Sequence, residues 1–387
     1  MKRAFTTRRL RWALPAGVAA AIAVGSLTSS VTNSAAAEPN LPARTAAQLL
    51  VDLETANPPG FSGTIVETAK LGLPQLPDIG GSGGDSSLSL ANLVTGAHTV
   101  RVWYGGHDKQ RVALLGQLSE SDIIRNGSDL WTYSSTDRRV THSKLSASDH
   151  KGFSRHDVTG MTPQAAADAA LKAIDPTTAV QVDRTARVAG RSAYQLLLTP
   201  KDSRSLIGSV RIAVDAQTSL PLRVQVFARD ANSPAIQVGF TDVSFKTPDA
   251  SVFNFVPPAG STVTQGNPLT GPGGPGPNMP ERIKDRAAAP STGASAPGTS
   301  GPNSGPKMLG KGWTAVLEMQ APGLAAGSDN PGSNLAAILD KIATPTQGGR
   351  LVTSALFTVF IADDGRVYVG PVSADAIRQV AATGHGL

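Results

Sequence analysis

Apolar residues recur along this chain at two periods, and the period of two dominates. Residues 62–68 alternate as a half-buried strand does, and strand signals then crowd together over 99–104, 110–118, 121–126, 129–134 and 139–144. Gly105-Gly106-His107-Asp108 and Asn126-Gly127 supply the short connections of an antiparallel meander. A second set of strands is predicted over 180–188, 193–199, 209–215, 222–229 and 236–245. The helical period is predicted twice among these strands. Thr45 followed by Gln48 has capping-box spacing before a helix over 46–55, with Leu49 and Leu53 on one face and Asn57-Pro58-Pro59-Gly60 as its stop. Thr162-Pro163 opens a second helix whose apolar stripe is Ala167, Leu171 and Ile174, ended by Asp175-Pro176.

About ten strands with two helices exceed what a flat open sheet holds without curling. The expected fold class is therefore mainly β with flanking helices (α+β), a strongly curved sheet or incomplete barrel with the helices as plug or lid. Residues 261–308 are rich in Gly, Pro, Ser and Ala, lack the apolar content to fold, and read as a flexible linker. Beyond it, 312–320 is strand-like, 334–343 is a helix and 351–362 is one strongly apolar strand. Asp363-Asp364-Gly365-Arg366 then turns the chain into residues 367–370, and Ser373 starts a last helix. These C-terminal elements (309–387) form either a small α/β module or extra strands of the main sheet.

The N-terminus changes how the charge is read. Residues 1–37 hold Lys2, Arg3, Arg8, Arg9 and Arg11 and no acid, then an alanine-rich apolar stretch over 13–27 and Ala35-Ala36-Ala37. That is the layout of an export signal cleaved before Glu38, the alternative being an uncleaved anchor. The full chain carries 35 basic and 29 acidic residues, a net of +6, whereas the part after residue 37 keeps 30 against 29, a net of +1. A near-neutral domain of residues 38–260 has no electrostatic footprint for nucleic acid. The expected location is extracytoplasmic, in the cell envelope or secreted. Cysteine is absent, which removes disulfides, thiolate metal sites and a cysteine nucleophile.

Candidate chemistry is sparse, and no cofactor or metal is expected. The six histidines are scattered, with His107 and His142 as turn or edge residues. Gly80-Gly81-Ser82-Gly83-Gly84 spells a nucleophile elbow but lacks the strand and helix that such a turn needs. Arg125 and Asp129 read as a surface pair, and Arg138-Arg139 as solvated turn charge. What remains is apolar: Val102, Leu114, Trp131, Tyr133, Val226 and Phe240 are the candidate lining of a hydrophobic cavity. Core packing is the competing reading of each. Trp131 and Tyr133, two apart on a strand, point to the same side of the sheet.

Three segments resemble the LolA-like superfamily, which holds lipoprotein carriers and the sigma-factor regulators of the RseB (MucB) type. They are Phe61-Ser62-Gly63-Thr64-Ile65-Val66, the strand and turn over 98–110, and Asp122-Ile123-Ile124-Arg125-Asn126-Gly127-Ser128-Asp129-Leu130-Trp131-Thr132-Tyr133. Phe253-Asn254-Phe255-Val256-Pro257-Pro258-Ala259-Gly260 resembles the close of the carrier domain. The resemblance implies an unclosed antiparallel β-barrel covered by helices, no catalysis, and a cavity that sequesters the acyl chains of a lipoprotein or envelope lipid. It implies, as the alternative, a regulator that binds a membrane-bound anti-sigma factor. The implied partners are acyl chains and a membrane-bound protein, either an ABC exporter or an anti-sigma factor. The carrier's arginine-proline motif is not visible in the matching strand, and a second module is a feature of the regulator.

Overall fold

The computed structural model describes residues 39–58, 60–73, 96–116, 119–145, 162–172, 174, 176–266, 306–321, 324 and 342–387. The leader, the elbow-like glycine run at 80–84, nearly all of the expected linker and most of the helix expected over 334–343 lie outside these residues.

Helix α1 (Ala46–Thr55) begins where the capping box predicts. Thr45 Oγ1 accepts from the Gln48 N–H at 3.2 Å and Gln48 Oε1 accepts from the Thr45 N–H at 2.9 Å, so two otherwise orphaned donors are satisfied reciprocally. Leu49 and Leu53, one turn apart, are both buried. Helix α2 (Pro163–Lys172) starts on Thr162, whose hydroxyl accepts from the Ala165 N–H at 3.1 Å. Its buried stripe is Pro163, Ala167 and Ala170, while Leu171 and Ile174 are only partly covered. The small alanines let α2 lie close over the sheet, and the larger residues flank the contact.

Strands β1 (Phe61–Ala69), β2 (Gly96–Tyr104), β3 (Lys109–Leu115), β4 (Glu120–Asn126), β5 (Asp129–Ser134) and β6 (Arg139–Lys144) form the first meander. The second comprises β7 (Thr178–Val188), β8 (Arg191–Pro200), β9 (Ile207–Asp215), β10 (Pro221–Ala228) and β11 (Ile236–Ser244). Strand β12 (Thr262–Gln265) follows a short 3-10 turn, Ala250–Phe253. Together they make one twelve-stranded sheet in the order β12-β6-β5-β4-β3-β2-β1-β11-β10-β9-β8-β7. The two meanders are joined through the β1–β11 pair, and the sheet stays unclosed, with β12 and β7 as its edges. Every pairing is antiparallel except β12 on β6.

The last residues build a separate six-stranded sheet instead of extending the main one. It consists of β13 (Lys307–Leu309), β14 (Val316–Gln320), β15 (Thr344–Thr346), β16 (Gly349–Thr353), β17 (Thr358–Ala362) and β18 (Arg366–Gly370), in the order β13-β14-β18-β17-β16-β15. Helix α3 (Ala374–Thr383), capped by Ser373 and ended by Gly384 at φ +68°, packs Ile377 and Val380 into a cluster with Phe360 and Tyr368. The single apolar strand expected over 351–362 is in fact two. Ser354 Oγ accepts from the N–H groups of Leu356 and Phe357 (3.3 and 3.1 Å), which turns the chain between β16 and β17.

That turn reaches the main sheet. Leu356 joins Leu71 and Ala235 in a small buried cluster, and the Ala355 N–H donates to Leu71 C=O at 2.8 Å. Ser205 bridges Val372, the Leu206 N–H donates to Pro371 C=O at 2.7 Å, and Trp313 is inserted into the core beneath α1 and α2. A cut introduced between residues 267 and 305 by an inserted protease site should therefore leave two halves that co-elute on gel filtration. Separation of the halves would show that this junction does not hold them by itself.

Candidate binding site

Directly paired residues of an antiparallel sheet share a face, so register assigns each side chain to the inner face, under the helices, or to the outer one. Ile65 pairs with Val100 and Phe240, Val102 with Val112, and Leu114 with Val100. Val238 pairs with Val224, and Ile236 with Val226. Val102, Leu114, Val226 and Phe240 thus share the inner face. Trp131 pairs with Ile124, which pairs with Arg111, which pairs with Trp103, the neighbour of Val102. Trp131 and Tyr133 therefore point together, as alternation requires, but to the outer face.

The six candidate residues consequently fall in three places. Val102 and Phe240 line a small inner-face hollow with Phe61, Tyr104, Leu220 and Pro163 of α2. Leu114 is buried in the same cluster behind it. Val226 packs between the core under α1 and the Leu356 cluster at the C-terminal module. On the outer face Trp131 stacks on His142, ring centres 3.9 Å apart and planes 14° apart, and Phe255 lies 5.5 Å from Trp131 and 6.0 Å from Tyr133.

Phe61 and Tyr104 were not among the residues the sequence singled out, yet they form the aromatic wall. Their rings stack at 5.3 Å, and Phe240 meets Phe61 edge-on at 6.2 Å. The local signal in this wall is Gly63, which lies two residues from Phe61 on the same face. A Cβ there would lie 2.8 Å from the Phe240 ring and 2.4 Å from Asp242 C=O, so only glycine admits the ring at this point. The hollow has a volume of about 50 Å³. Pockets that enclose an organic ligand hold roughly 300 to 1,000 Å³. With α2 in this position the hollow is too small for an acyl chain.

Polar groups near the inner face are few. Glu67, paired with His98, has its carboxyl pushed up by burial, an effect that His98 partly opposes. The outer-face polar network is denser. Asp129 accepts from Lys144 at 2.7 Å and lies 2.6 Å from His142 Nε2, and these hydrogen bonds, Lys144 first, hold its carboxyl below the usual range. The surface pair expected between Arg125 and Asp129 is not formed. Arg125 is 2% exposed and donates to Gly127 C=O and Asp108 Oδ1, both at 3.3 Å, which ties together the two turns that flank β3 and β4. Arg125 follows Ile124 in β4, so alternation turns it to the inner side while Asp129 faces out. Among the described residues no group of three or more His, Asp and Glu side chains could hold a metal ion, and no helix is long and apolar enough to cross a membrane.

Trp131→Ala should cost about 1 to 2 kcal/mol, below the roughly 3 to 5 kcal/mol of a fully buried aromatic, because Trp131 is only partly buried. A urea midpoint that falls by the full core amount would mean that Phe255 and His142 seal it.

Residues 92–259 match the family model of the MucB/RseB N-terminal domain. That stretch is similar to the domain and spans less than half of the chain. Among solved structures, MucB in complex with MucA(peri) is 14% identical, covers 87% of this chain and 97% of its own, and superposes with a TM-score of 0.40. The Pseudomonas aeruginosa MucA/MucB complex is 16% identical over 87% of this chain and 96% of its own, with a TM-score of 0.39. A LolA superfamily protein from Nitrosomonas europaea is 13% identical over 55% of this chain and 99% of its own, with a TM-score of 0.22. Likeness at this level carries no functional argument. No curated protein sequence matches the chain.

Proposed function

We propose that this chain is an extracytoplasmic, non-enzymatic binding protein of the regulatory kind, which captures a segment of a membrane-bound anti-sigma factor in envelope-stress signalling. The observation that carries the reading is the match of residues 92–259 to the MucB/RseB domain. The separate C-terminal sheet and the small volume of the inner hollow support it, since a second module is a feature of the regulators and a hollow this small leaves no room for an acyl chain. Its location rests on the leader over residues 1–37, read as an export signal.

The second reading, sequestration of acyl chains of a lipoprotein or envelope lipid, is favoured by the aromatic lining of the hollow. It requires α2 to lift from β10 and β11, over which it packs. Calorimetry of the full chain with the extracytoplasmic segments of the source bacterium's anti-sigma factors, beside titration with a fluorescent fatty-acyl probe, separates the two. Saturable binding of one segment without uptake of the probe is expected. Probe uptake that Phe240→Ala abolishes, with no segment bound, would replace the regulator by the carrier.

A further inference from the structure

The outer face of β8–β11 gathers more cations than the anions beside them balance. Register sets Arg211 opposite Gln225, and Arg223 opposite Ala213 and Gly239, so both arginines rise on the same face, two positions apart. The Arg211 guanidinium lies over Phe227, 4.8 Å from the ring centre, and Phe227 is buried. Its Nε is buried without a hydrogen bond, and its ion-pair partner, Asp183 Oδ2, stays at 3.5 Å. Asp183 is itself engaged, accepting from the Arg184 N–H at 2.8 Å. The stem of Arg223 crosses Gly239, where a Cβ would come within 2.9 Å of it. Burial and the neighbouring Arg211 charge both push the Arg223 pKa down, the direction expected where a cation lacks compensation.

Beside Arg211 opens a polar hollow of about 360 Å³, lined by Ser209, Phe227, Asp230 and Asn232 among others. This is the size of a ligand site. Arg229 contributes charge but no free fork, since it donates to Ser205 C=O and Asp202 C=O at 2.8 and 2.9 Å. Three guanidinium groups against the carboxylates of Asp183 and Asp230 leave one net positive charge, which matches a monoanion better than a phosphate dianion. A guanidinium laid on an aromatic ring is held flat with its N–H fork directed outward, the geometry that grips a planar carboxylate through two bonds.

We propose that this hollow receives a carboxylate side chain of an acidic protein segment, gripped by Arg211 on its Phe227 platform with Ser209 and Asn232 as further donors. The site lies on the face opposite the aromatic hollow and does not depend on the regulatory reading above. Arg223 supplies long-range attraction to it and is a positioning residue of the field, not a contact.

The test is fluorescence anisotropy of labelled hexaglutamate with the full chain at low ionic strength, beside hexaglutamine and competition by inorganic phosphate. Hexaglutamate should bind and hexaglutamine should not. Arg211→Gln should weaken binding at least tenfold, and Arg211→Lys should recover only part of it, because a point charge lacks the fork. Arg204→Gln, an exposed arginine outside the hollow, should leave it unchanged. Ser209→Asp, which places a carboxylate inside the hollow, should also weaken binding at least tenfold, and it keeps the test valid if Arg211→Gln lowers the urea midpoint. Failure of the wild type to bind, equal losses in Arg211→Gln and Arg204→Gln, or preferential binding of phosphate would each overturn the proposal.

Discussion

Trp313→Ala should destabilise the whole chain by about 3 to 5 kcal/mol, the range for truncating a buried large aromatic. Trp313 is 7% exposed and belongs to a residue cluster that includes Leu49 and Leu53 of α1, Ala167 and Ala170 of α2, and Leu196 and Ile212 of the sheet. Its indole Nε1 donates to Thr178 Oγ1 at 2.8 Å inside that core. The side chain comes from the C-terminal module, yet it fills the space between the main sheet and both helices. Removing it opens a cavity that small alanines on α2 cannot close. Trp313→Phe keeps most of the apolar volume and loses the N–H, so it should cost only about 1 kcal/mol for the hydrogen bond plus a small packing loss. Urea midpoints of the two variants give the comparison. Equal, small effects would mean that the module rests on the sheet without contributing to its core.

This arrangement marks the boundary of what the sequence discloses. The α1 start was legible because Thr45 and Gln48 interact within one turn, and the first meander because alternation and the turn chemistry at Asn126-Gly127 are local. The division of 351–362 was not legible. Both halves are apolar, and the one signal, Ser354, acts through its hydroxyl on two backbone N–H groups, which composition does not reveal. Arg125 was given the wrong partner for a related reason. It lies four positions from Asp129 in sequence, but the two are on consecutive strands, where alternation sends their side chains to opposite faces. The candidate lining shows the same limit. Alternation relates Trp131 to Tyr133, but only register across four strands, β2 to β5, tells whether that pair shares a face with Val102. Nothing local to residue 313 announces that its side chain enters another sheet's core.

Asp215→Ala should cost about 3 to 5 kcal/mol, because it leaves a partly buried arginine without its counter-ion and dismantles a turn. The Asp215 carboxylate is 1% exposed and accepts from Arg191 through both Nε and Nη2, from the N–H groups of Gln217 and Thr218, and from the Thr218 hydroxyl. These bonds fix the tight connection from β9 to β10, where Ser219 adopts φ +60°. Burial alone would push the Asp215 carboxyl up, but the hydrogen bonds from Arg191 and Thr218 outweigh it and hold the carboxyl below its ordinary value. A folded pKa below the unfolded one means that the unfolded chain binds the proton first as pH falls. The stabilisation is therefore complete above the unfolded value of about 4 and is lost as pH drops through the lower folded value. Asp215→Asn, similar in shape and uncharged, removes this linkage. Its stability should lie below that of the wild type at neutral pH, and the gap should narrow as the pH is taken below about 4. Urea midpoints across that range measure the gap directly, and one that stayed constant with pH would show that the charge of Asp215 contributes nothing and only its shape matters.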